Sequence, residues 1–303
     1  DYLNYWALEN TNIDDITFIS NHGQTVWHNP DSDEVSVSST LQLGDASTIS
    51  YHFNKTVVYD FRSLDVAAGG TGAPLVPITD YLLFKEKAPI ILLNIGGISN
   101  ITYLKKSGKA SDVIAFDTGP GNMIVDAAMK RIYNKSYDEG GSIASSGKLN
   151  KELLAFLEND PYYDLVYPKS TGREKYNESF INELFKQKQI LNISNEDFIK
   201  TITYFTSYIV IKQIRKFIPS FDGQIVVSGG GAYNKEMLKV FTEAGIDVTT
   251  SDAYDLPSDA KEAYAFAILG YLRLTNEISN LQNVTGANSA LSLGSIILPA
   301  IIK

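Results

Sequence analysis

Two aspartates in this sequence read as standing where a buried strand gives way to a glycine turn: Asp65 in "DVAAGGTGAPLVP" and Asp117 in "VIAFDTGPG". A carboxylate in such a place can act as a base or face a metal ion, because glycine lets a substrate and the backbone come close. Other acids have plainer uses. Asp60 precedes Phe61-Arg62 and can pair with the arginine, and Asp138 in "YDEGGSIASSG" can cap the helix that follows. Glu262 falls in the first turn of an amphipathic helical pattern, where an acid favours the helix dipole.

Glycine clusters follow three strand-like runs, at Gly96-Gly97, at Gly119 and Gly121, and at Gly229, Gly230 and Gly231. Each alone can serve only a tight turn. Together they suggest anion sites made of backbone amides, with a nucleotide between two lobes. Asn94, Asn122 and Asn234 stand beside these clusters, where asparagine can act as helix cap and ligand donor alike. Neither G-x-G-x-x-G nor G-x-x-x-x-G-K-[ST] occurs, which counts against the dinucleotide and P-loop versions of such a site. His22 and His28 are not at zinc-helix spacing; His22, before Gly23-Gln24, can reach a sugar, with Trp27 as a stacking platform, or can satisfy local backbone groups.

The elements that must position these residues read as an α/β fold. "DITFISNHGQTVWH" and "KTVVYDFR" read as buried strands, and "APIILLNIGGISNITYL" as two strands joined by a Gly-Gly turn, where a second domain begins. "DVIAFDTGPG" runs into the helix "NMIVDAAMKRIY", and "QIVVSGGGAYNKEMLKVF" repeats strand, glycine turn and helix. "LPSDAKEAYAFAILGYLRL" carries a helix start signal and an apolar stripe.

The chain has 303 residues, 44% of them hydrophobic, enough for one large or two ordinary domains. A net charge of −9 argues against a nucleic-acid partner held on a basic face, so bound phosphate must rest on backbone amides or a metal. There is no cysteine, hence no disulfide or thiolate zinc site. No apolar run reaches the ~18 residues of a membrane helix, and the tail "LGSIILPAIIK" is short and broken by proline. A cytoplasmic protein with no membrane partner is the expectation.

The blocks "HGQTVWH", "DFRSLDVAAGGTGAPLVP", "LLNIGGISNIT", "FDTGPGNMIVDA", "YDEGGSIASSG", "PKSTGREKYN", "VSGGGAYN" and "DAKEAYAFAILGYL" follow one another from Ile19 to about Gly294. In that order they resemble anhydro-N-acetylmuramic acid kinases, of the actin-like ATPase and sugar kinase superfamily. Thr71 and Ser228 depart from the pattern, which has Gln and Cys there. The family's opening Gly-Thr-Ser…Asp-Gly hairpin does not precede Asp1, which implies an omitted segment or a poor catalyst.

The resemblance implies a two-lobed fold with an interdomain nucleotide and sugar cleft. It implies a first lobe over residues 1–86, a second over 87–276, a tail over 277–303 returning to the first, and a hinge between Asp80 and Pro89. It implies ATP and Mg²⁺ as cofactors, 1,6-anhydro-N-acetylmuramic acid as substrate, a role in cell-wall recycling, and a possible homodimer. Asp65 matches the catalytic aspartate, with His22, Arg62 and Glu262 on the sugar side. Asn94, Gly96, Gly97, Asp117, Gly119, Gly121 and Asn122 should face phosphates and Mg²⁺, with Asp117 nearest the metal. Gly229, Gly230, Gly231 and Asn234 should lie against adenosine. Another carbohydrate kinase of the superfamily, or a sugar- or nucleotide-binding relative without turnover, would carry the same blocks.

Overall fold

The computed structural model describes residues 12–30 and 37–300. The start of the expected first lobe and the last three residues of the apolar tail lie outside them. Strands of the described chain are numbered β1 to β10 in sequence order. Two compact units emerge: one runs up to Leu83 and resumes at Glu262, and the other spans Phe84–Lys261.

In the first unit, β1 (Phe18–Asn21) lies parallel to β4 (Thr56–Tyr59), whose other edge pairs antiparallel with β10 (Ser295–Ile297). Val57 and Val58 at the centre of β4 are fully buried, as suits β-branched residues on a covered pleat. The expectation of buried strands across "DITFISNHGQTVWH" is corrected here. β1 is half-buried, whereas β2 (Gln24–Asn29) is largely exposed and pairs with β3 (Ser39–Leu43) in a separate two-stranded ribbon. Gly23, at φ +72°, turns the chain out of the three-stranded sheet, and a side chain there would strike the Leu43 carbonyl. Val26, Trp27, Leu41 and Leu43 are therefore exposed on the ribbon rather than in the core.

The second unit is built on a five-stranded sheet in the order β7-β6-β5-β8-β9. β5 (Ile90–Ile95) and β6 (Ile98–Leu104) are antiparallel around Gly96-Gly97, β7 (Ile114–Pro120) is antiparallel to β6, and β8 (Gln224–Ser228) and β9 (Val248–Thr250) continue parallel to β5. Helix Asn195–Phe217 fills one face of the core with Phe198, Ile202, Phe205 and Ile209, all fully buried. Each such side chain stabilises the fold by about 1.5–3 kcal/mol relative to exposure.

This topology has one consequence for function. β5, β7 and β8 point the same way, so the glycine turns that follow them gather at one end of the sheet, where open α/β sheets place ligands.

Candidate active site

Asp65 lies not at a strand end, as expected, but in the short helix Ser63–Ala67, six residues past the end of β4, and is fully buried. Its Oδ1 accepts from Asn280 Nδ2 at 3.0 Å and Thr285 Oγ1 at 2.9 Å, and its Oδ2 accepts from the Gly72 amide at 2.8 Å. A carboxylate with three donors aimed at it is held as a pure acceptor in a fixed orientation. The glycines around it are steric requirements: a Cβ on Gly70 would lie 2.2 Å from Asp65 Oδ2, and Gly72 sits at φ +66°. Sequence reasoning singled out Asp65 and did not point to Asn280 or Thr285. Thr71 ties the same loop down through its amide to the Thr285 carbonyl at 2.7 Å.

The peptide of Gly72 links Asp65 to the other residues expected on the sugar side. Its carbonyl accepts from Arg62 Nη1 at 2.6 Å, while Arg62 Nε and Nη2 lie 3.0 and 2.9 Å from His22 Nε2. Because His22 Nδ1 is 2.8 Å from the Gly23 carbonyl, that nitrogen carries the proton and Nε2 accepts from the guanidinium. The ring also packs on Phe266, centroids 4.5 Å apart. Burial, then the Arg62 charge, hold His22 below the usual imidazole range. Burial also draws Arg62 down, opposed by Glu262 and Asp65. Glu262 stands in the first turn of helix Lys261–Leu274 and its charge is felt by both Arg62 and His22. Asp65, His22, Arg62 and Glu262 thus form one neighbourhood in the first unit.

The pairing of Asp60 with Arg62 is corrected. Asp60 Oδ1 instead accepts from Ser63 Oγ at 2.5 Å and the Ser63 amide at 3.3 Å, so the acid caps the helix that carries Asp65. Asp138 is likewise a cap: its oxygens accept from the Ile143 and Ala144 amides, each at 2.9 Å. His28 bonds Thr40 Oγ1 at 3.0 Å on the ribbon, and among the described residues no group of three or more metal-binding side chains occurs.

In the second unit the three glycine turns pack directly on one another. The Gly121 and Asn122 amides donate to the Gly97 and Gly96 carbonyls at 2.8 and 2.7 Å, and Asn122 Nδ2 donates to the Ile95 carbonyl at 3.1 Å. A side chain on Gly121 would lie 2.3 Å from the Gly96 carbonyl, and one on Gly231 would strike Ile95. Gly229, at φ +77°, passes so close to β5 that a Cβ there would lie 2.6 Å from Asn94 Oδ1. Asn234 caps helix Lys235–Glu243 through the Glu236 and Met237 amides at 3.1 and 3.2 Å.

Asp117 sits on β7 opposite Asn100 of β6, which in turn pairs with Asn94 of β5 and through it with Ser228 of β8. These four polar residues form a row on one face near the glycine turns. Oδ2 of Asp117 accepts from Ser170 Oγ and the Thr171 amide, both at 3.0 Å, and burial raises the carboxyl above its ordinary range. Gly119, two residues on at φ +140°, runs against Tyr163, where a Cβ would meet the ring at 3.0 Å. The loop that clamps Asp117 is itself anchored: Lys169 Nζ lies 4.8, 5.0 and 5.6 Å from the rings of Tyr162, Phe217 and Phe116.

Beside the turns opens a pocket of about 430 Å³, lined by Asn122, Asp126, Tyr137, Glu139, Tyr233 and Asn234 among others. It holds no lysine or arginine, so it suits the uncharged part of a ligand, and phosphates would belong at the glycine amides.

Comparison with known proteins places the chain among kinases. A model of the anhydro-N-acetylmuramic acid kinase family matches residues 5–299. The anhydro-N-acetylmuramic acid kinase of Francisella tularensis subsp. novicida is 42% identical over 295 residues, 96% of this chain and 77% of that protein. Those of Clostridioides difficile and Caldanaerobacter subterraneus subsp. tengcongensis are also 42% identical, over 95% and 94% of this chain and 76% and 74% of their own lengths. The chain belongs to the anhydro-N-acetylmuramic acid kinase family.

Proposed function

We propose that the protein uses ATP to phosphorylate O6 of 1,6-anhydro-N-acetylmuramic acid while water opens the anhydro bridge at C1, giving N-acetylmuramic acid 6-phosphate and ADP for cell-wall recycling. The observation that carries this reading is the family match over nearly the whole described chain. The site chemistry supports it. Asp65 accepts a proton from water attacking the anomeric carbon; its Oδ2 has one protein donor where Oδ1 has two, which leaves an acceptor direction for that water. The oxygen freed at C6 then attacks the γ-phosphoryl group, with positioning and charge stabilisation as the main contributions.

Arg62, His22 and Glu262 orient the sugar, and Gly96, Gly97, Gly119 and Gly121 present backbone to the phosphates. Asn122 also ties the turns together through the Ile95 carbonyl, Asn94 and Asn122 face the phosphates, and Gly229, Gly230, Gly231 and Asn234 border the adenosine. Mg²⁺ would neutralise phosphate charge. Asp117 fits such an ion because it is a hard oxygen donor whose Oδ1 has no hydrogen bond from the described residues, and Mg²⁺ at phosphates needs only one or two carboxylates beside water. No helix of the described residues is long and apolar enough to cross a membrane.

The test is a mass-resolved assay with ATP, Mg²⁺, the anhydro sugar and ¹⁸O-labelled water. A 6-phosphosugar labelled at C1 and formed only with ATP is the expected product. An unopened, unlabelled phosphosugar would replace this reading with ordinary hydroxyl phosphorylation, and absence of product from folded protein would favour a binding function.

A further inference from the structure

Asp126 is an acid that none of the chemistry above employs. It lies in the first turn of helix Met123–Tyr133, immediately after the Gly121-Asn122 turn, and lines the pocket beside the glycine cluster. The other acids there are differently placed: Asp138 spends its oxygens on helix amides, and Glu139 is exposed. Asp126 is half-buried, and burial is the sole influence on its carboxyl, with no hydrogen bond or opposite charge from the described residues offsetting it. A desolvated carboxylate without a partner destabilises the free protein and gains most when a ligand brings donors to it.

We infer that Asp126 accepts hydrogen bonds from the vicinal 2′- and 3′-hydroxyls of the nucleotide ribose and so makes the kinase select ribonucleotides over deoxyribonucleotides. The inference rests on the proposed nucleotide site and names one determinant within it. Three features favour the ribose over other parts of ATP. A carboxylate repels phosphate, and it pairs naturally with two adjacent hydroxyl donors. Asp126 is four residues beyond Asn122, about 6 Å along a helix axis, which is sugar distance from phosphates held at the turn. The flat faces suited to a base come from Tyr137 and Tyr233, which line the same pocket and are 61% and 53% exposed. Burial pushes the Asp126 carboxyl up to about 6, so it remains an anion with both oxygens accepting at pH 7.5.

The experiment compares KM and Kd for ATP, 2′-deoxy-ATP and 3′-deoxy-ATP in the unaltered protein and in Asp126→Asn, with circular dichroism to check folding. The unaltered protein should bind either deoxynucleotide about ten-fold or more weakly than ATP, with kcat changed little. Asp126→Asn should weaken ATP and bring the three nucleotides close together. Equal affinities in the unaltered protein overturn the inference without any variant. So does an Asp126→Asn variant that weakens all three alike, although the pocket then remains a nucleotide site. Gly230→Val, which narrows the pocket beside Asn122, separates the two levels: if neither it nor Asp126→Asn alters ATP binding in folded protein, the placement of nucleotide in this pocket fails as well.

Discussion

The Asp65 cradle and the glycine face are made in opposite ways. Around Asp65 the first unit uses side chains: Asn280 and Thr285 reach the carboxylate from 215 and 220 residues away along the chain. At the glycine face the second unit uses backbone, with turns that touch so closely that the amides of Gly121 and Asn122 bond the carbonyls of Gly97 and Gly96. A proton acceptor needs a defined orientation and a few strong partners, whereas a polyphosphate is met by many weak dipoles at short range. The difference predicts that single substitutions act sharply in the first region and through shape in the second.

The sharpest test is Asp65→Asn. The amide keeps the volume but cannot take a proton from water, so kcat should fall by at least ~10²-fold while the sugar still binds. Full turnover in a folded variant would remove Asp65 from the mechanism. Thr285→Val probes the cradle without touching the acid. It takes one of the two donors from Oδ1 and leaves a buried oxygen short of a partner, a penalty of about 1–3 kcal/mol. The expected result is a loss of around ten-fold in kcat and a lower melting temperature, with ATP affinity unchanged.

The backbone-built region is sharpened by contrasting two glycines. A Cβ on Gly121 would lie 2.3 Å from the Gly96 carbonyl, so Gly121→Ala must displace a turn and should lower stability as well as activity. A Cβ on Gly97 would meet only Met123 Cβ at 3.9 Å, an ordinary contact. Gly97→Ala should therefore melt like the unaltered protein and still raise the KM for ATP several-fold, because the methyl occupies space the phosphates approach. Unchanged ATP kinetics in Gly97→Ala would move the phosphates away from this turn.

The same contrast explains what the sequence made legible. The glycine turns follow strands within a few residues, so "NIGGISN" announces strand, turn and strand, "DTGPGN" and "SGGGAYN" announce strand, turn and helix, and the structure forms each as read. Asp65 was singled out by its glycine surroundings, but the strand end expected there is the short helix Ser63–Ala67. The partners of Asp65 were not, because nothing in "SNLQNVTGANSAL" marks Asn280 or Thr285 as facing a residue more than 200 positions away. The clamp on Asp117 by Ser170 and Thr171 was hidden likewise, across 53 and 54 residues. The exposed ribbon was misread because alternation in "QTVWHN" reports strand but not which sheet the strand joins. Asp60 was misread because sequence adjacency to Arg62 suggested a pair, while helix geometry offered the nearer donors at Ser63.

The smallest expected effect lies at His22 in the first unit, whose ring bridges the Gly23 backbone and the Arg62 side chain. Its Nε2 accepts from Arg62 only while the ring is neutral, and both burial and Arg62 lower its pKa in the folded protein. The charges that face it are Arg62, which resists protonation, and Glu262, which favours it, with burial and Arg62 prevailing. A histidine whose folded value lies below its unfolded one stabilises the protein fully above the unfolded value, near 6.5, and loses that contribution as pH falls through the folded value. Acidification should therefore lower the melting temperature and raise the KM for the sugar, because a protonated Nε2 turns a donor toward the guanidinium. His22→Gln, which keeps an acceptor and cannot titrate in this range, should flatten the acid limb of the sugar KM profile while ATP KM keeps its own pH dependence. If the sugar profile of His22→Gln still bends at the same pH, the titrating group is elsewhere and the Arg62–His22 contact only supports the fold.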